Sequence, residues 1–177
     1  MFELGRMVGV LVGGFVGLAI AAIIIVICNK NRKFKTNYDE RQQLERGKAY
    51  KYSFYAMCAY YALLMVVFMS EVPLPFDVPS LMFIGIAVGL LTNCEYSIIK
   101  GAYWGMNNDP KKYSLSFLII TALNIFLAIM QNKNGMVYSD GQFHSGMVNV
   151  ICAIIFVILG LTLAIKSAIK RNDREEE

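Results

Sequence analysis

The sequence holds one histidine, His144, among 177 residues. That scarcity bears first on catalysis. A Ser–His or Cys–His arrangement needs an imidazole beside its nucleophile, and only one position can supply it. No H-E-x-x-H, G-x-S-x-G or P-loop pattern is present. A lone histidine in a polar loop reads as surface. Prolines number four; three stand in the segment EVPLPFDVP and the fourth, Pro110, ends any helix that reaches it. The four cysteines, Cys28, Cys58, Cys94 and Cys152, are far apart and lie in or beside apolar runs. They form neither a disulfide framework nor a C-x-x-C metal pattern. They read as small apolar packing groups, with a thiol cluster of Cys28, Cys58 and Cys94 as the other reading. Nothing in the pattern asks for a cofactor or a metal.

Charge is sparse as well, at 17% of residues against 56% hydrophobic. The apolar residues gather into five runs: 7–28, 52–70, 80–100, 114–131 and 147–166. Each is close to the roughly 20 residues a helix needs to cross a hydrocarbon core of about 30 Å. No aqueous stretch reaches the roughly 40 residues below which domains rarely fold unaided. The expected fold is therefore all-α: one polytopic membrane domain over residues 1–177 with five transmembrane helices. The first run is too long for a signal-peptide core and lacks an A-x-A-like cleavage site, so it is expected to be a retained anchor.

The basic residues set an orientation. The segment 29–51 holds eight Lys and Arg, and 71–79 holds none. Fifteen of the seventeen fall in segments that the five spans place on one side, leaving only Arg6 and Lys133 on the other. Basic loops are retained in the cytoplasm. This predicts an outside N-terminus, an inside C-terminus with a charged tail over 167–177, and a multi-pass protein of the cytoplasmic membrane. The net charge of +4 is spread along that face, where anionic lipids attract it, and is not a sign of direct nucleic-acid binding.

Two stripes of small residues point to close helix packing. Gly5, Gly9, Gly13 and Gly17 recur every fourth residue into the first run, and Gly85 and Gly89 begin a similar row in the third. Small residues at this spacing let helices approach in lipid, within one chain, in a homo-oligomer or against a membrane-protein partner. In 29–51, a basic stretch precedes an expected amphipathic helix. Asn37 with Glu40 reads as a capping box. Arg41 and Glu45 are spaced as an i,i+4 pair, Glu45 also reaches Lys48, and Gly47 is an expected bend. Tyr50, Tyr52 and Tyr55, and later Tyr103 and Trp104, mark the interface. The loop 132–146 is turn-rich and expected to be mobile unless it packs down.

Polar groups within the spans are few. Glu95 is the one acid, about 7 Å inside the boundary by helical rise. It either pairs with Arg46 or Lys48, or binds a cation, a proton or a partner. Asn93, Asn124 and Asn149 either hydrogen-bond between helices or line a polar path. No internal repeat supports an inverted-repeat transporter.

The motifs YDERQ and RGKAYKYSF, with the later IIKGAYWGMNND, resemble a family of short multi-pass membrane proteins of unknown function from Gram-positive bacteria. The first motif also resembles a D-E-R signature of other small membrane proteins, often encoded beside helix-turn-helix regulators. The likeness covers roughly 38–113, with Gly101 where the family carries Asp. It implies a regulatory role over catalysis. It also implies a functional cluster at Asp39, Glu40, Arg41 and Gln42, with Glu45 and Arg46 beside it.

The expected function is non-enzymatic: a regulatory or accessory protein docking a cytoplasmic regulator or membrane partner at the inner face. One alternative is a small oligomeric transporter or channel using Glu95, Asn93 and Asn124. Another is an immunity or envelope-stress protein acting through its outside loops.

Overall fold

The structure, a computed structural model, describes residues 37–106 and 110–175 and separate positions between 12 and 27, with side chains over 37–106 and 115–169. The chain divides after Asn37 into two units. In the first, the described positions, which fall between 12 and 27, are helical. Gly13 and Gly17 there face open space. Gly5, Gly9, Arg6, Cys28 and the basic stretch 29–35 lie outside the described residues.

The second unit is built on four helices: α1 (Glu40–Met69), α2 (Val78–Ile99), α3 (Pro110–Lys133) and α4 (Met147–Glu175). All four are long and apolar enough to cross a membrane; α2, at 22 residues, spans about 33 Å. This is a multi-pass membrane protein. Along the set, α1 packs on α2, α2 on α4, and α4 on α3. The second predicted run is only the latter part of α1. The amphipathic segment continues into it as one helix, with no break at Gly47.

The α1 start differs from expectation. Asp39, not Asn37, is the N-cap; its carboxylate accepts from the Gln42 amide at 2.6 Å. The Gln42 side chain accepts in return from the Asp39 amide at 3.2 Å. This capping box lies two residues further on than the expected one, because Gln42 is also held from outside the helix.

Close approach of α1 and α2 rests on two glycines. A Cβ on Gly85 would meet the Tyr61 ring at 2.5 Å and the Tyr60 ring at 2.8 Å, and one on Gly89 would run into Met57. Both rings are pinned, since the Tyr60 and Tyr61 hydroxyls donate to the carbonyls of Leu81 and Met82 at 2.8 Å. A second core sits where α2, α3 and α4 meet. Ile98, Phe117 and Leu159 are buried there, with Tyr103 and Trp104 packed against them. These two aromatics, expected at the interface, are turned inward.

The opposite end is closed by its loops. Two short strands, β1 (Tyr138–Ser139) and β2 (Gln142–Phe143), pair antiparallel, a small departure from an all-helical chain. The turn between them is Asp140-Gly141, with φ of 51° and 79°, the twist that a two-residue hairpin demands. Phe143 then bridges to the α1–α2 loop. Its amide donates to Pro75 at 2.7 Å, the Asp77 amide donates back to it at 2.8 Å, and its ring stacks on Phe76. The loop 132–146 therefore packs down.

Asp77 caps α2, accepting from the Ser80 amide at 2.9 Å. Burial pushes its carboxyl up, but the hydrogen bond from the Ser80 amide, with His144 and the Ser145 backbone adding to it, outweighs this. The carboxyl is held below its ordinary value.

Gly85→Ala lowers stability by about 1–3 kcal/mol through overpacking, whereas Gly47→Ala, in open space, raises it by up to about 1 kcal/mol; thermal unfolding in detergent measures both. Because the Asp77 pKa is depressed by folding, its contribution is present above about pH 4 and lost as pH falls through the folded value. A thermal midpoint that falls with acid in the wild type, and less steeply in Asp77→Asn, is the expected result.

Candidate functional site at the end of α2

A helix ends with four carbonyls that lack partners within it. In α2 the chain resolves this by reversing at Gly101, whose φ of +70° is unstrained only for glycine. The Gly101 amide returns to Ile98 at 3.0 Å, and the Ala102 amide to Ser97 at 2.8 Å, the paired bonds of a Schellman end. The turn carries Ala102, Tyr103 and Trp104 back onto the core. It leaves acceptor positions at Ile98, Ile99, Lys100, Gly101 and Trp104 facing the neighbouring helices.

Side chains from two other helices fill them. Lys166 of α4 donates its ammonium to the carbonyls of Ile98 and Ile99, the latter at 3.0 Å. Arg41 of α1 donates to Lys100 at 3.2 Å. Gln42 donates to Gly101 at 3.0 Å and Trp104 at 3.1 Å and is nearly buried. Two cations thus stand at the negative end of the α2 dipole. Ala49 and Ala102 are fully buried, so α1 and the turn each present small residues in this region.

The rest of the predicted docking cluster surrounds this junction. Glu45 accepts from Lys48 at 2.7 Å and from the Tyr96 hydroxyl at 2.8 Å, not from Arg41 as its spacing suggested. Arg46 lies over the Tyr38 ring at 4.0 Å. Asp39 is the cap, and Glu40 is exposed in the first turn. The structure therefore sets Arg41 and Gln42 against the later motif, with Asp39 capping beside them and Glu45 on Tyr96 just before that motif. It uses them to join α1 to α2.

The intramembrane polar residues are not gathered. Glu95 accepts from the Thr162 hydroxyl of α4 at 2.9 Å, and the expected partners Lys48 and Arg46 are engaged elsewhere. Asn149 reaches across to Gln131 of α3 at 2.7 Å. Asn124 bonds back to Ile120 in its own helix at 2.8 Å, which removes it from the expected interhelical set. The Asn93 side-chain nitrogen is buried without a hydrogen-bond partner. Among the described residues no hydrogen bond joins these amides into a path. Of the cysteines, Cys94 packs against the Ile98 core, as the packing reading expects, while Cys58 is exposed.

Sequence reasoning missed Lys166, Thr162 and Tyr96. The spacing of Thr162 and Lys166, one helical turn apart, was the available signal that one face of α4 meets the end of α2. It also missed the contact of Ser139 Oγ with His144 Nε2, 2.9 Å apart, which closes the hairpin.

No protein-family model, curated protein or solved structure matches this chain.

Replacing Gln42 strands two carbonyls at once. Gln42→Ala is expected to cost about 1–3 kcal/mol, while the exposed neighbour change Gln43→Ala stays within about 0.5 kcal/mol. Paired thermal unfolding curves check the contrast, and equal midpoints would contradict the assigned role of Gln42.

Proposed function

We propose that this chain is a non-enzymatic, regulatory or accessory protein of the bacterial cytoplasmic membrane that docks a partner at the inner face. The observation that carries the reading is the side of α1 turned away from the junction. Gln43, Leu44, Gly47 and Tyr50 share that side and are all exposed; Leu44 is 69% exposed, and Gly47 has nothing within 4 Å of a Cβ position. A glycine inside a helix costs about 1 kcal/mol relative to alanine, and packing among the described residues gives no return for it. An exposed leucine beside an open glycine suits the close approach of another helix. Glu40 and Lys51 flank this patch with opposite charge and would set its register.

The basic residues of the chain favour placing this end in the cytoplasm, with the N-terminus outside and the C-terminus inside. Anionic lipids at the inner face would hold the same residues. The likeness of the DERQ and KGAYWG segments to small membrane proteins of Gram-positive bacteria supports the setting. Docking would be mechanical in effect. A partner lying on α1 presses on the helix whose other side, through Arg41 and Gln42, holds the end of α2.

A second reading, a small oligomeric transporter, draws on Glu95 and its single neutral partner Thr162, since an acid within a span is often functional.

A photoreactive residue at Gln43 should capture one protein in cells. Leu44→Glu and Gly47→Leu should abolish capture without lowering the thermal midpoint. Capture that survives both changes would sink the docking face. A flux in liposomes that Glu95→Gln removes, at unchanged expression, would favour the transporter.

A further inference from the structure

A groove of about 780 Å³ runs between α3 and α4 at the hairpin end. Small residues, Ala128 and Ala153, let it form, and Ile154 and Val157 continue an aliphatic wall. The Asn149–Gln131 bond ties the two helices near its end, and Val137, nearly buried, anchors the hairpin beside it. At the hairpin end the wall stops being apolar and presents Asn132 and Lys133.

Lys133 is exposed and is the final residue of α3. Among the described residues it is the one Lys or Arg at this end of the four helices; the loop 70–77 has neither, and 134–146, which holds His144, has neither. It therefore departs from the charge pattern of the rest of the chain. Its place at the mouth of an apolar groove accounts for the departure. Lipid tails are as apolar as these walls, so hydrocarbon enters the groove without cost. A lysine at the edge of the hydrocarbon reaches the headgroup level and attracts negative charge. A neighbouring helix would fill the same walls but has no use for a cation at the mouth.

We propose that the α3–α4 groove binds one anionic phospholipid. An acyl chain lies along Ala128, Ala153 and Val157, and the phosphate is held by the Lys133 ammonium with the Asn132 amide beside it. The site is at the opposite end of the molecule from the docking face and does not depend on it.

The test is native mass spectrometry of the full chain released from nanodiscs of equimolar phosphatidylglycerol and phosphatidylcholine. The expected result is one retained phospholipid, enriched in phosphatidylglycerol. Lys133→Gln should reduce that enrichment about five-fold, the effect of one basic group near a headgroup. Ala153→Phe, which fills the groove, should remove the bound lipid of both types. The surface position of Lys133 keeps that variant folded should Ala153→Phe fail to fold. Retention of both lipids equally, an enrichment unchanged in Lys133→Gln, or a dimer without lipid would overturn the proposal.

Discussion

An α-helix ends with carbonyls that have no partner within it, and the partly buried end of α2, between α1 and α4, is the place where this chain meets that constraint. An unpaired buried carbonyl costs about 1–3 kcal/mol, and five acceptors lie within seven residues, from Ile98 to Trp104. The Schellman turn at Gly101 satisfies part of the demand. The rest is met by Lys166, Arg41 and Gln42. These three side chains come from two helices that flank α2 on different sides. Their hydrogen bonds therefore do more than cap one helix: they fix the register of α1 and α4 against it.

Other features follow from that arrangement. Because the chain reverses at Gly101, Tyr103 and Trp104 are carried onto Phe117, 6.3 and 6.1 Å between ring centres, and become core. Because Gln42 is needed both at Gly101 and at its own helix start, the α1 cap is drawn to Asp39. Because Arg41 is committed to Lys100, Glu45 is left to Lys48 and Tyr96. At the far end, Gly85 and Gly89 let α1 lie close on α2, and the bridge from Phe143 to Pro75 and Asp77 ties the two loops. The helices are thus pinned near both ends.

Much of this was legible in the sequence, and the limit is physical. Length and hydropathy identify a membrane helix because lipid imposes one thickness, and each of the four described runs matches a helix to within a residue at its C-terminal end or lies inside it. Gly85 and Gly89 were readable because their spacing puts them on one face. The cap was not, since Asn37 with Glu40 and Asp39 with Gln42 fit the same local pattern. Only the second bond of Gln42, some 60 residues away in sequence, separates them. The partner of Glu95 was hidden for the same reason: the register of α4 on α2 sets it, and Thr162 lies 67 residues away. Asn124 was misread because an asparagine in an apolar helix can bond back to its own preceding turn.

The two sides of α1 carry different duties, and this bears on how such a protein can act. One side, with Gln42, Glu45 and Ala49, is committed to the junction. The other, with Leu44 and Gly47 exposed and Gln43 donating to the Tyr38 carbonyl, takes no part in holding α2 among the described residues. A residue on the free side is at most one helical turn from a residue that holds α2. A partner that favours a small rotation of α1 would therefore change how well Arg41 and Gln42 meet the α2 carbonyls. The energy at stake is set by those bonds, a few kcal/mol at most, comparable with the coupling energies by which binding at one site is felt at another. The residues that make the fold stable are thus also the ones through which an event on the free face would reach the rest of the molecule.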